Sequence, residues 1–445
     1  MKKYFGTDGV RGRVGDAVIN PSMMHKLGCA IGAVLCETSD GNPQVLIGRD
    51  TRESGEMLQE ALVSGLIERG VDVSLLGVIS TPAVAYFTQS LHADAGIVIS
   101  ASHNPYHDNG IKVIGKNGTK LSDAWELQVE SNIESANITD AKKSGKITII
   151  SDANEKYISH CLSLFEKSFS FSDKKIVLDC ANGATAEIAP IIFSKLGAEI
   201  ILMHASPDGK NINEKCGATD LTSLQARVLQ EKADCGIAFD GDGDRLMMVD
   251  QLGDRVDGDE ILCILALYGK KQSAVVGTLM SNLGLEKAIK LQGMQFERVA
   301  VGDRYVLEKL QKNNWTLGGE SSGHIINLDF ASTGDGVLTA LQVLHIMQQQ
   351  NKSLHDLKNC MKKRPQILIN VPAKNPNRYA DMAEISDAVK IIQNQLQDSG
   401  RVLLRASGTE SCVRVMVECD EDAVALTLAE SLAKTVAACL SRSLI

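Results

Sequence analysis

Cys235-Gly236-Ile237-Ala238-Phe239-Asp240-Gly241-Asp242-Gly243-Asp244-Arg245 joins a short apolar run to a loop with an acid at every second position. A compact apolar run of that kind, bounded by glycines and acids, reads as a buried strand whose carboxyl end opens into a site. Alternate side chains point the same way on an extended chain, so the three carboxylates can converge on one cation. Carboxylate oxygens suit a hard ion, and Mg²⁺ takes a few of them beside phosphate oxygens. A calcium loop of the EF-hand kind also begins with alternating acids, but it needs glycine sixth and glutamate twelfth. Arg245 and Gln251 stand in those places, which excludes it. A solvated acidic turn is the alternative, although the arginine after the acids suits a phosphate better than such a turn.

Around this loop, short apolar strands alternate with helix-length segments. Strands at 174–179 and 198–203, with helices near 184–196 and 221–231, lead to the strand at 235–239. An earlier round has strands at 44–48, 71–76 and 95–100, with helices near 54–69 and 82–91. A third begins at 273–278 and ends on a strand that leads to Gly318-Gly319-Glu320. Such alternation calls for parallel sheets covered by helices. After Pro365 the pattern changes to a strand at 366–371, a helix around 382–396 and two strands flanking Ser407-Gly408-Thr409, a small α+β unit. The expected fold is therefore three similar α/β domains with mainly parallel sheets plus a smaller C-terminal α+β domain, around one central cleft. The expected boundaries are 1–150, 151–253, 254–364 and 365–445. Open parallel sheets bind ligands at the carboxyl ends of their strands, and the loops at 100–109, 240–245 and 318–324 fall there.

At 445 residues the chain is too long for one core. Its 44% hydrophobic and 23% charged residues are ordinary for a globular protein. A net charge of −9 without a dense basic block argues against nucleic-acid or membrane partners. Any phosphate must then be held by a few local arginines. The first residues carry no apolar run after Lys2-Lys3, so no secretory signal is expected, and no uninterrupted apolar stretch is long enough to span a bilayer. The 11 cysteines stand singly, with no Cys-x-x-Cys pair, and read as small buried hydrophobes instead of a disulfide frame or zinc site. A cytoplasmic location is the expectation.

Three more loops bear chemistry. Ser102-His103-Asn104-Pro105 is either a plain turn or a nucleophile loop. It lacks the Gly-x-Ser-x-Gly elbow of a hydrolase, and the ring of His103, adjacent to Ser102, is expected to point away from it. A serine beside a metal-binding acid cluster reads as a phosphoryl carrier, whose phosphate oxygen would complete the Mg²⁺ shell. Gly318-Gly319-Glu320-Ser321-Ser322-Gly323-His324 offers an acid, hydroxyls and an imidazole suited to sugar hydroxyls, or else a tight structural loop. Arg405-Ala406-Ser407-Gly408-Thr409-Glu410-Ser411, with Arg414 beyond it, is either a phosphate cradle or an ordinary hairpin turn. Neither a Walker loop nor a Gly-x-Gly-x-x-Gly fingerprint is present, so no motif supports nucleotide binding.

Taken in order, these loops and the early Gly6-Thr7-Asp8-Gly9-Val10-Arg11-Gly12 resemble the α-D-phosphohexomutase superfamily over the full chain. The stretches Tyr4 to Gly12, Val301-Gly302-Asp303-Arg304-Tyr305-Val306 and Ser332-Thr333-Gly334-Asp335-Gly336 resemble its bacterial phosphoglucosamine mutase family. Two positions depart: Ser321 replaces the usual glutamine or asparagine, and Ser411 the usual proline. The resemblance implies an enzyme phosphorylated on Ser102, with Mg²⁺ on Asp240, Asp242, Asp244 and the phosphoserine. It would interconvert glucosamine 6-phosphate and glucosamine 1-phosphate through a bisphosphate, feeding UDP-N-acetylglucosamine and cell-wall precursors. It further implies Lys112 as general acid or base with Arg11, His324 and Arg245 nearby. His103, Asn104, Glu320 and Ser322 would contact the substrate, and Arg405, Ser407, Gly408, Thr409 and Arg414 would hold the second phosphate. A homodimer is plausible on the same ground. The alternatives are a glucose- or mannose-phosphate mutase of the same superfamily, a Mg²⁺-dependent sugar phosphatase, or a non-catalytic sugar-phosphate sensor.

Overall fold

Strands β1 (Val10–Arg13), β2 (Gln44–Arg49), β3 (Asp72–Val78), β4 (Ala95–Ile99), β5 (Asp108–Gly115) and β6 (Ile147–Ile149) form the first sheet, in the order β1-β5-β4-β2-β3-β6. The computed structural model describes residues 2–6, 8–39, 41–135, 144–407 and 411–442. Alternation decides which face each residue covers. Val45, Ile47, Ile97 and Ile99 join one apolar cluster with helices α1 (Pro21–Thr38) and α2 (Gly55–Glu68). Leu46 and Val98 point the other way, to α3 (Thr81–Ser90). Helix α4 (Asp123–Glu134) packs on the α1 side through Val129.

The second sheet runs β11 (Arg255–Val256), β10 (Leu246–Asp250), β9 (Cys235–Phe239), β7 (Lys175–Asp179), β8 (Glu199–Met203), with helices α5 (Ala153–Ser163), α6 (Ile188–Lys195) and α7 (Thr222–Glu231). The third runs β13 (Gln295–Val299), β12 (Ala274–Thr278), β14 (Leu317–Gly319), β15 (Ile325–Asn327). Its helices are α8 (Gly258–Tyr268), α9 (Leu283–Leu291), α10 (Asp303–Asn313), α11 (Gly336–Gln350) and α12 (Leu354–Lys358). One apolar cluster runs from Val98 through Ile176 and Phe239 to Leu338, so the three α/β units share a core.

Each of these sheets has a parallel centre, as the alternation of strands and helices requires, bordered by antiparallel strands. The chemistry-bearing loops share a topological position. Each joins a parallel strand to the antiparallel strand beside it: β4 to β5, β9 to β10 and β14 to β15. The sequence places these loops at strand ends; the returning strands β5, β10 and β15 are what it leaves out.

Strands β16 (Gln366–Pro372), β17 (Arg401–Ala406) and β18 (Cys412–Glu418) form an antiparallel sheet in the order β16-β18-β17, covered by α13 (Ala383–Leu396) and α14 (Asp422–Arg442). Among the described residues, the stretch Asp422–Ser441 of α14 is long and apolar enough to cross a membrane by length and composition alone. Its Ala425, Ala429, Leu432 and Val436 belong to the core over this sheet, which accounts for that composition.

Candidate active site

Ser102 sits just past β4 with φ 53, a left-handed conformation uncommon outside glycine. Its backbone is held from three sides. The N–H donates to Ser100 Oγ (2.9 Å), and the carbonyl accepts from Arg52 Nη2 (2.9 Å) and Asn213 Nδ2 (2.9 Å). Arg52 is wholly buried; it also donates to the carbonyls of Asn104, Pro105 and Asp108 and pairs with Asp50 (Nε–Oδ2 2.8 Å). Ser100 Oγ donates to the same Asp50 oxygen (2.6 Å). Burial raises the Asp50 carboxyl above its ordinary value, with Arg52 and Ser100 opposing. Removing one partner of such a buried pair typically costs about 3–5 kcal/mol. Arg52→Ala is therefore expected to lower the urea midpoint of unfolding clearly; an unchanged midpoint would show that the brace contributes nothing.

The left-handed turn at Ser102 brings the His103 ring back beside it, with Nδ1 3.3 Å from Ser102 Oγ. The expectation that this ring points away assumes an extended chain and is corrected here. Burial, then Arg245 and Arg11, hold the imidazole down at about 4, so it is neutral at physiological pH. The Asn104 side chain donates to Asp108 (3.0 Å), and its carbonyl accepts from Arg52 and Asn213, so this residue braces the loop.

Asp240, Asp242 and Asp244 are all buried, and one carboxylate oxygen from each lies within 4.8 Å of the others. Ser102 Oγ donates to Asp240 Oδ2 (2.7 Å), and Thr81 Oγ1 donates to Asp242 Oδ2 (2.6 Å). Lys112 Nζ, from β5, reaches Asp242 (2.7 Å), Asp244 (3.1 Å) and Asp8 (3.4 Å). Asp242 Oδ1 is nevertheless buried without a hydrogen-bond partner, and Asp244 Oδ1 has His324 Nδ1 at 3.5 Å. An orphaned buried carboxylate oxygen is costly, and the three clustered carboxylates make a set of hard oxygen donors that fits Mg²⁺. The loops can approach this closely because residue 241 is glycine: a Cβ there would lie 2.7 Å from the Ser102 carbonyl oxygen.

The charges divide sharply. Burial, then Asp244 and Asp242, push the Asp240 carboxyl well above the carboxylate range. Burial works the same way on Asp244, but Lys112 and His324 outweigh it and hold that carboxyl well below. Lys112 is kept as an ammonium by Asp242 and Asp244 despite its burial. His324 Nδ1 lies 3.5 Å from Asp244 Oδ1. Burial would lower its pKa, but Asp244, Asp303 and Glu320 raise it to about 9.

Glu320 Oε1 accepts from the Gly302 N–H (2.9 Å), tying the β14–β15 loop to the start of α10. Gly323 (φ 90) closes the loop onto β10, where a Cβ would come within 2.1 Å of the Leu246 carbonyl. The departing Ser321 offers its carbonyl to the Gly258 N–H (3.2 Å), and Ser411 offers its own to Ala373 (2.9 Å). Arg405 and Arg414 are register partners across β17 and β18. Burial and the neighbouring Arg414 depress the Arg405 guanidinium below its ordinary value, a strain that an anion between them would relieve. The Ser407 N–H donates to the Cys412 carbonyl (2.9 Å). Gly408 and Thr409 lie outside the described residues.

A cleft of about 750 Å³ opens beside this group at His103, Asp244 and Arg245, although Ser102, Lys112, Asp240 and Asp242 do not line it, and every unit contributes to its wall. Arg11 and His103 come from the first, Asp244 and Arg245 from the second, Glu320, Ser322 and His324 from the third, and Arg414 from the fourth. Arg405 and Asn104 are not among its lining residues. Residue-level reading missed a bridge at the rim, where Lys120 Nζ reaches Asp8 (2.5 Å) and Asp303 (2.8 Å), while Asp8 also pairs with Arg11. The runs at 6–12 and 301–306 carried a signal for it only as part of the resemblance. Arg52, Asn213 and Thr81 had none, since each lies in a segment with no motif.

Four family models match in chain order, all described as phosphoglucomutase/phosphomannomutase: alpha/beta/alpha domain I over residues 2–139, domain II over 155–253, domain III over 257–364 and the C-terminal domain over 368–435. The chain is 53% identical to the phosphoglucosamine mutase of Coxiella burnetii, over 98% of this chain and 99% of that one. It is 50% identical to the phosphoglucosamine mutase of Haemophilus influenzae, over 98% of each. A crystal structure of a phosphoglucomutase/phosphomannomutase family protein from Burkholderia thailandensis shares the fold at a TM-score of 0.82 and 22% identity, over 98% of both chains. So does N-acetylphosphoglucosamine mutase of Aspergillus fumigatus, solved with GlcNAc-6P and magnesium, at a TM-score of 0.71 and 15% identity, over 99% of this chain and 96% of that one. On the four ordered matches and the near-full-length relatives, the chain belongs to the phosphoglucomutase/phosphomannomutase family.

Proposed function

We propose that this protein interconverts glucosamine 6-phosphate and glucosamine 1-phosphate by passing a phosphoryl group through Ser102. One observation carries the reading: Ser102 Oγ lies 2.7 Å from one of three buried carboxylates, and its neighbours His103 and Asp244 line a cleft walled by all four units. Ser102, once phosphorylated, gives its phosphoryl group to O1 of glucosamine 6-phosphate. The Oγ–P bond breaks, the O1–P bond forms, and the O1 proton leaves to a base. The resulting bisphosphate turns over, the O6–P bond breaks as the Oγ–P bond re-forms, and O6 takes a proton from an acid to leave glucosamine 1-phosphate.

Phosphoryl transfer depends on positioning and charge neutralisation more than on covalent help. Asp240, Asp242 and Asp244 would hold Mg²⁺, which when bound supplies positive charge beside the transferring group. Arg245 and Arg11 both line the cleft. Lys112, the expected general acid or base, is held as an ammonium and adds positive charge here, while protonated His324 can donate a proton and neutral His103 can accept one. Glu320 and Ser322 would take sugar hydroxyls in either orientation. A turning intermediate must be retained and kept from water, which suits a cleft built between four units.

Arg405, Ser407, Gly408, Thr409 and Arg414 would hold the phosphate that is not reacting. Losing one charge-assisted contact costs about 1.5–3 kcal/mol, so Arg414→Ala is expected to bind substrate roughly ten- to hundredfold more weakly. Unchanged affinity for both hexosamine phosphates would assign this loop to structure. The same reading takes the chain as four domains, 1–150, 151–253, 254–364 and 365–445. It sets the enzyme in the cytoplasm as a source of precursor for UDP-N-acetylglucosamine.

The substrate's 2-ammonium group suits a cleft whose wall carries Asp8, Asp123, Asp303 and Glu320. Epimers differ by a few hydrogen bonds of about 0.5–1.5 kcal/mol each, so some turnover of glucose phosphate is expected. The test is kcat/KM for glucosamine, glucose and mannose phosphates on one phosphorylated preparation. Glucosamine phosphate should be preferred; equal or better turnover of mannose 1-phosphate would move the assignment to a phosphomannomutase.

A further inference from the structure

On the outer face of the first unit, α1 and α2 cross at unusually short range. A Cβ on Gly28 would lie 2.2 Å from the Leu62 carbonyl, and one on Gly65 would lie 2.1 Å from the His25 carbonyl. The crossing brings three different donor types together. His25 and Cys29, one turn apart on α1, face Glu68 at the end of α2. Cys29 Sγ lies 3.8 Å from Glu68 Oε2 and 3.9 Å from His25 Nδ1, and His25 Nε2 lies 3.0 Å from Glu68 Oε1. One ligand atom from each of the three falls within 4.8 Å of the others.

Zinc binds sulfur at about 2.3 Å and nitrogen or oxygen at about 2.0–2.2 Å, so tetrahedral ligand pairs sit roughly 3.3–3.8 Å apart. The two sulfur separations are already near that range. Two other groupings of metal-binding side chains are satisfied from within. Asp250 accepts from Lys358 (2.6 Å) and His355 (2.9 Å), and the oxygens of Asp179 accept from the N–H groups of Ala181 (2.9 Å) and Gly217 (2.9 Å). The group on α1 and α2 is also bonded internally, with Arg69 beside Cys29, but Glu68 is exposed and His25 half-exposed, which leaves a path for an ion and a position open to solvent.

We propose that His25, Cys29 and Glu68 form a second metal site, selective for a divalent ion of borderline softness such as Zn²⁺ and separate from the carboxylates of the cleft. A nitrogen, a sulfur and a single carboxylate favour such an ion over Mg²⁺, which takes oxygen. Binding releases the Cys29 thiol proton as the Sγ–metal bond forms. The ion would clamp α1 to α2 and stabilise the first unit by mass action.

The test uses the full-length protein, stripped of metal and held in excess Mg²⁺ to occupy the carboxylate site, then titrated with Co²⁺ as the probe. One equivalent should give cobalt–thiolate charge-transfer absorption that Zn²⁺ displaces, and Zn²⁺ should raise the thermal midpoint. Cys29→Ala should lose the absorption and the thermal shift. His25→Ala and the surface change Glu68→Gln should weaken Co²⁺ by at least the roughly 10–100-fold that loss of a supporting partner costs. No thiolate absorption at one equivalent, or absorption and affinity unchanged in these variants, would overturn the site.

Discussion

Ser102→Ala is expected to yield a folded protein whose mutase turnover is lower by roughly 10⁴-fold or more, the scale seen when an enzyme loses its nucleophile. The fold should survive because the contacts that shape this loop are made by the backbone of residue 102. Its N–H goes to Ser100 and its carbonyl to Arg52 and Asn213, and all three remain in the variant. The side chain contributes a hydrogen bond to Asp240, worth about 1 kcal/mol, and a longer one with His103 Nδ1. Circular dichroism and a urea titration would check the first half of this expectation, and turnover the second. Near-normal turnover in a folded variant would remove Ser102 from the chemistry.

Chelation is the second large effect: activity should fall to background with EDTA and return with Mg²⁺. Asp242→Asn should lose Mg²⁺ affinity and turnover together. Asp242 is the informative member of the set, because one of its oxygens is taken by Thr81 and Lys112 while Oδ1 is left buried without a hydrogen-bond partner. The amide keeps the shape of the side chain but offers a neutral, weaker oxygen to a hard cation. Mg²⁺ affinity measured by calorimetry and unchanged by the substitution would show that Asp242 is not a ligand.

How much of this was legible depends on how local the signal is. The acidic loop could be read from six consecutive residues because its chemistry rests on spacing along an extended chain. The strand alternation was legible for a similar reason, since burial on both faces of a sheet leaves short, wholly apolar runs such as 235–239. Strand β5 was harder: Asp108-Asn109-Gly110-Ile111-Lys112 mixes polar residues and a glycine into a strand, because this part of it faces the site. His103 was misjudged because the left-handed turn at Ser102 is imposed by Arg52 and Asn213, about fifty and more than one hundred residues away. Lys112 carried no local motif. Its tie to Asp242 and Asp244 depends on how the first unit packs against the second, and pairwise packing between distant segments has no signature in a single sequence.

The account's central claim is that the phosphoryl group travels through Ser102, and intact mass with peptide mapping tests it most directly. Purified protein should carry one phosphoryl group, on the peptide containing Ser102. Adding glucosamine 6-phosphate should transfer that group to a hexosamine bisphosphate, with the mass returning as turnover proceeds to glucosamine 1-phosphate. Turnover by protein that never carries phosphate on Ser102, or release of free phosphate without glucosamine 1-phosphate, would contradict it.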